Sequence, residues 1–171
     1  MSYSEIGIKL PQKTDLKKNV LLLFSGTLAC LLWLRLYAAA FKMLLPAEYD
    51  RVASWKNTSY VQFLSEWGKT GEFSGIMALW GGILLLVIIE ELAFRGLIFN
   101  YLRREYSFKK ALIWNSALFA LPHLHPYIVP IPFALGLIFT MLYVKSKGLM
   151  VPVLTHFAYN LSLSYFGEFI S

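Results

Sequence analysis

Two adjacent carboxyls and an arginine interrupt an otherwise apolar run, Ile83-Leu84-Leu85-Leu86-Val87-Ile88-Ile89-Glu90-Glu91-Leu92-Ala93-Phe94-Arg95-Gly96. Ionisable groups in such surroundings are expensive and by default mark function. Glu91 and Arg95 are four apart, the spacing of an ion pair along one helical face. A structural brace of that kind accounts for one glutamate only. Glu90 lies about 100° around the helix from Glu91, so Arg95 cannot face both equally well, and Glu90 is left available for other work. Two further polar patches follow, Phe119-Ala120-Leu121-Pro122-His123 and His156-Phe157-Ala158-Tyr159-Asn160. His156 and Asn160 are four apart and share a helical face. Singly, such a histidine or asparagine often only hydrogen-bonds a neighbouring helix. Together the six residues can do more. A carboxylate withdrawn from water, with a histidine, can deprotonate a water molecule, and histidine and asparagine N–H groups can hold an oxyanion. One glutamate and two histidines can also ligate Zn²⁺ and leave a water position open.

These residues need elements to hold them, and the composition says in what solvent. Of 171 residues, 57% are hydrophobic and 15% charged, and the mean hydropathy is +0.56. That is too apolar for a soluble domain of this length, so the solvent is lipid. Apolar runs begin near Val20, Ser74, Ala111, Ile131 and Leu149, predicting an all-α membrane protein of about five transmembrane helices bundled around the polar site. The first, roughly 20–45, contains Arg35, placed to snorkel or to face another helix. A secretory leader is the rival reading of this segment, with Ala38-Ala39-Ala40 as cleavage site, but it would be too long and Arg35 falls just before that site. Lone Cys30 reads as a packed small apolar residue.

Basic residues set the orientation, because short loops rich in Lys and Arg stay cytoplasmic. Lys9, Lys13, Lys17 and Lys18 precede the first segment, Arg103, Arg104, Lys109 and Lys110 separate the second from the third, and Lys145 and Lys147 separate the fourth from the fifth. The N-terminus is therefore expected inside and the C-terminus outside. The 46–73 loop, with mixed charge, is then external. Its Trp55, Tyr60, Phe63 and Trp67 suit an amphipathic helix lying at the interface. The net charge of +6 is topogenic and lipid-facing, and the basic loops lack the aromatic interleaving of a nucleic-acid surface, so no nucleic-acid partner is expected. No internal repeat or long linker divides the chain. Residues 1–171 read as one membrane domain, with 74–166 carrying the chemistry. Pro122, Pro126, Pro130 and Pro132 forbid one continuous helix there. Broken backbone at membrane depth is tolerated only against protein or a wet cavity.

Depth tests whether the polar residues can meet. At about 1.5 Å per residue from the cytoplasmic helix ends, Glu90 and Glu91 lie roughly 18–20 Å deep, His123 and Asn160 roughly 18 Å, and Arg95 and His156 roughly 12 Å. All six fall within one layer near the bilayer centre. His125 lies just beyond it and reads as a loop residue.

Glu90-Glu91 with Arg95, Phe119 with His123, and His156 with Asn160 resemble, in order, the motifs of the CPBP family, which includes CAAX prenyl endopeptidases and bacteriocin-processing or immunity-associated proteins. The resemblance spans roughly 83–163 and takes in Phe133 and Gly136. It departs at Thr140, where a second small glycine is common, which puts close packing of the fourth helix in question. Members often carry more N-terminal helices. The resemblance implies an intramembrane endopeptidase in a bacterial plasma membrane, acting on a peptide or membrane-protein substrate. Glu90 and His123 would activate water, His156 and Asn160 would hold the carbonyl and oxyanion, and Arg95 would hold Glu91. It implies glutamate-dependent hydrolysis with no obligatory metal or cofactor; zinc is the less favoured alternative. A role in bacteriocin processing or self-immunity is implied too. Two non-enzyme readings stand beside it. One is an immunity protein that binds a toxin or its receptor without catalysis; the other is a proton-coupled transporter, against which the lack of inverted halves argues.

Overall fold

The structure, a computed structural model, describes residues 16–55, 73–123 and 126–166. All regular elements among them are helical. Helix α1 spans Leu16–Leu44, α2 Pro46–Trp55 and α3 Phe73–Glu91. A π-helical turn, Leu92–Ile98, runs without interruption into α4, Phe99–Glu105. Helix α5 is Phe108–Ala120, a 3₁₀ turn is Leu121–His123, α6 is Pro130–Ser146 and α7 is Met150–Phe166. Each expected apolar run is thus helical. Two stretches, Leu16–Leu44 and Met77–Glu105, are each long and apolar enough to cross a bilayer, and Pro130–Ser146 is a shorter apolar helix. The external amphipathic helix expected within 46–73 falls partly on α2; residues 56–72, with Tyr60, Phe63 and Trp67, lie outside the described residues, as does His125.

The distribution of polarity is inverted relative to a water-soluble bundle. Leu21, Phe24, Leu28, Leu32 and Leu36 of α1 and Leu85, Leu86 and Ile89 of α3 face outward. Glu91, Arg95, Asn115, Ser116, Thr140, Thr155 and His156 are buried. Apolar surface turned out and polar groups turned in is what hydrocarbon solvent selects.

The helices that frame the site touch closely. α6 is sandwiched by α5, α1 and α7, and α7 also packs on α3. Two glycines make this possible. A Cβ at Gly26 of α1 would lie 2.6 Å from Leu142 Cδ1, and one at Gly136 of α6 would lie 2.9 Å from the Ser116 Cα. Between them lies a core of Cys30, Leu34, Phe119, Leu135, Phe139, Leu142, Val151 and Tyr159. Cys30 is a packed core residue, and Arg35 is exposed. Thr140, which raised the question of close packing, is fully buried, and α6 packs tightly on α5. Its hydroxyl is accommodated by hydrogen bonds: it donates to the Gly136 carbonyl at 2.7 Å and accepts from Asn115 Nδ2 at 2.9 Å.

Candidate functional site

The site is assembled where α3 passes into its π turn. In that turn the Phe99 N–H reaches the Phe94 carbonyl, five residues back, so the helix widens immediately after Glu91. Single π turns inside α-helices recur at functional sites. Glu91 and Arg95, both without solvent exposure, are joined by a hydrogen-bonded ion pair, Arg95 Nη1 donating to Glu91 Oε1 at 2.9 Å. Arg95 Nη2 donates to the Gly136 carbonyl across the interface with α6 at 3.3 Å. The guanidinium also lies over two aromatic rings, 4.5 Å from the centroid of Phe119 and 5.3 Å from that of Phe139. Such contacts compensate part of the cost of removing a cation from water.

His156 enters from α7. Its Nδ1 is 2.9 Å from Glu91 Oε1. With the Glu91 carboxylate as acceptor, Nδ1 carries the proton. The other ring nitrogen, Nε2, then faces Glu90, 3.7 Å from Oε2. Phe139 stacks flat on the imidazole, with centroids 4.6 Å apart and planes at 25°, and fixes its plane. Glu91 therefore holds Arg95 along its own helix and His156 across the bundle. Sequence spacing foresees the first contact and misses the second.

Glu90 has a different environment. Its side chain is 33% exposed, whereas that of Glu91 is 0% exposed. Of the adjacent carboxyls one is locked by two partners and the other opens outward beside a histidine nitrogen.

Asn160 lies one turn beyond His156 on α7 and is half-buried. His123 is set apart from the direct hydrogen-bonded cluster. Helix α5 ends at Ala120 and the chain tightens into the 3₁₀ turn holding Pro122, which leaves His123 exposed. Among the described residues His123 makes no hydrogen bond or ion pair. Its ring lies 6.2 Å from that of Phe119, whose other neighbours include His156 at 5.9 Å. The two histidines thus flank one aromatic ring. The segment after His123 is tied to α1, where the Tyr37 hydroxyl donates to the Tyr127 carbonyl at 2.7 Å and Phe41 stacks on Tyr127 at 5.3 Å.

Phe139 and the Gly136 carbonyl are members of the site that the sequence reading did not assign. Helix α6 is apolar on every side from Phe133 to Phe139, so no periodicity marks Phe139. Gly136, the one glycine inside that run, is the signal that a close approach occurs there. Among the described residues no group of three or more His, Cys, Asp or Glu side chains is arranged to hold a metal ion.

A family model described as type II CAAX prenyl endopeptidase Rce1-like matches residues 72–162 of this chain. The match runs from the start of α3 into α7 and includes all six polar residues. The chain is also similar to the membrane-embedded CAAX protease MroQ of Staphylococcus aureus (strain USA300), with 35% identity over 79 residues, covering 43% of this chain and 32% of that protein. The matched part is thus about a third of that relative's length. No solved structure matches significantly.

Proposed function

The chain belongs to the Rce1-like family of type II CAAX prenyl endopeptidases, and we propose that it is an intramembrane endopeptidase whose hydrolytic base is Glu90. The observation that carries this reading is the unequal environment of the two carboxyls. Glu91 is committed to Arg95 and His156, while Glu90 is accessible and faces His156 Nε2.

In the proposed reaction Glu90 accepts a proton from a water molecule as the water oxygen attacks the peptide carbonyl carbon. The negative charge that develops on the carbonyl oxygen is met by Asn160 Nδ2–H and by His156, which donates through Nε2 when both its nitrogens carry protons. Glu90 then passes the proton to the departing amine nitrogen as the C–N bond breaks. Glu91 and Arg95 do not touch substrate; they hold the imidazole with its Nε2 toward the reacting atoms. His123 stands on the exposed side of Phe119 and takes part through substrate and water, since catalytic contacts that are open in the free enzyme tighten in the complex. The absence of an obligatory metal is part of the proposal. It is supported by the position of His123, which stands apart from Glu90 and His156, so that among the described residues no three such side chains are gathered to hold a metal ion.

The five-span arrangement, N-terminus inside and C-terminus outside, and a bacterial plasma membrane belong to the same reading. They are supported by the placement of the lysines and arginines and by the bacterial relative. Bacteriocin processing or self-immunity is the physiological setting we attach to it. The test is proteomics of membranes carrying the wild-type chain or Glu90→Gln. Fragments unique to the wild type are expected, and identical fragment profiles would remove the peptidase reading. Protection against a bacteriocin that survives Glu90→Gln would leave the non-catalytic immunity role in its place.

A further inference from the structure

A chain of buried hydrogen bonds reaches the site from α5 by way of α6. Asn115 of α5 donates Nδ2–H to the Thr140 hydroxyl oxygen at 2.9 Å. That hydroxyl donates to the Gly136 carbonyl at 2.7 Å, and the same carbonyl accepts from Arg95 Nη2 at 3.3 Å. Arg95 and His156 then converge on one oxygen, Glu91 Oε1. Asn115, Thr140, Arg95 and Glu91 are all fully buried, so none of these groups has bulk water as an alternative partner.

From this geometry we propose that Thr140, with its hydroxyl oriented by Asn115, is a positioning residue that keeps the Gly136 carbonyl available to Arg95 and so fixes Glu91 and His156. The proposal rests on the peptidase reading for its functional consequence, and on hydrogen-bond geometry alone for its structural one.

The direction of the bonds follows from donor and acceptor chemistry. A threonine hydroxyl has one proton and can rotate. Because its oxygen already accepts from Asn115, the proton is turned to the other side, where the Gly136 carbonyl lies. Gly136 itself allows the arrangement. With no side chain there, α5 and α6 meet close to backbone contact at Ser116, and this brings the Asn115 carboxamide within reach of Thr140. If the hydroxyl is removed, a buried N–H loses its acceptor, which costs more than the bond itself was worth. The carbonyl just beyond the lost hydroxyl is the acceptor left in that direction, and Asn115 then competes for it with Arg95. The disturbance passes to Glu91 and to the tautomer and tilt of His156.

The test compares Thr140→Val, which keeps the shape and removes the hydroxyl, with Thr140→Ser, which keeps the hydroxyl and removes a methyl. Wild type and both variants are ¹⁵N-labelled at histidine and placed in lipid nanodiscs, with His123 and His125 signals assigned from single substitutions. The His156 ring nitrogens are expected to show a single, well-defined environment with Nδ1 keeping its proton in wild type and Thr140→Ser, and averaged or shifted signals in Thr140→Val. On the best-cleaved member of an internally quenched peptide library, Thr140→Val should lose on the order of tenfold in kcat with KM little changed, and Thr140→Ser should recover most of it. A Thr140→Val protein with wild-type His156 signals, whatever its thermal stability, would assign Thr140 to packing and overturn the proposal. So would a Thr140→Ser protein that behaves like Thr140→Val. If wild-type protein cleaves no peptide, or Glu90→Gln cleaves as well as wild type, the peptidase reading fails while the His156 signals still decide the positioning role.

Discussion

The buried pair of Glu91 and Arg95 gives the sharpest test of how this site is held together. Both side chains are 0% exposed, so removing either charge leaves the other unpaired away from water, at about 3–5 kcal/mol. The two losses have different make-up. Arg95→Met leaves Glu91 with His156 as a remaining donor, but gives up the contacts of the guanidinium with Phe119 and Phe139, each worth roughly 0.5–2 kcal/mol. Glu91→Gln leaves Arg95 with the Gly136 carbonyl and the two rings, but without a countercharge. Each single variant should therefore lose a large part of the stability of a typical domain, which is about 5–15 kcal/mol. Replacing both removes the stranded charge, and the introduced carboxamide can still accept from His156 Nδ1. The double variant should recover about 2–3 kcal/mol relative to the sum of the singles, toward the upper end of measured couplings between contacting residues. The assay is membrane accumulation together with thermal unfolding in nanodiscs for the four proteins of the cycle. Hydrolysis should recover less than stability, because a neutral acceptor holds the imidazole more weakly than a carboxylate. Losses that simply add, or a double variant scarcer than either single one, would refute the reasoning.

Four further outcomes are expected. Glu90→Gln should lower hydrolysis by at least about 10²–10⁴-fold while the protein accumulates normally, since this side chain is partly exposed and its loss strands no buried charge; near-normal turnover would show that another group is the base. Hydrolysis should survive strong chelation, and activity lost on chelation and restored by zinc would contradict that. Reporter fusions after Glu105 and Lys147 should report cytoplasm, and those near Lys56 and the C-terminus the outside; a cytoplasmic C-terminus would break the five-span arrangement. Gly136→Ala should destabilise by about 1–3 kcal/mol through overpacking, because its Cβ meets the Ser116 backbone at 2.9 Å; an unchanged unfolding midpoint would mean that α5 and α6 have room to part.

The helices were legible because lipid demands long apolar runs, and the pairing of Glu91 with Arg95 was legible because a four-residue spacing is a local property. What escaped is what one chain segment does to another. Spacing pairs Glu91 with Arg95 alone, since the His156 that shares its oxygen lies 65 residues away. For His123, counting rise along one continuous helix does not reveal that α5 stops at Ala120 and that the 3₁₀ turn at Pro122 leaves the imidazole exposed beside Phe119. Thr140 is an obstacle to close packing only if its size counts and its hydroxyl does not. Buried between Asn115 and the Gly136 carbonyl, that hydroxyl joins α5 to α6.

The π turn is the feature with no signal in composition, and packing supplies its reason. The stretch from Phe73 to Glu105 must satisfy two partners on different sides. Its first part, α3, packs on α7 and delivers Glu90 and Glu91 to His156. Its last part, α4, packs on α5, with Phe99 and Leu102 against Ala111. An uninterrupted α-helix fixes the angle between those two faces at about 100° per residue. One widened turn changes that phase by roughly one residue without breaking the helix. Placed directly after Glu91, it leaves the orientation of the two carboxyls to α3 and lets the segment beyond turn toward α5. Arg95 sits inside the widened turn, and there its guanidinium meets Glu91, Gly136 and Phe119 at once. The site is thus set by the junction between two packing requirements, which is why each carboxyl can have its own surroundings although they are neighbours in sequence.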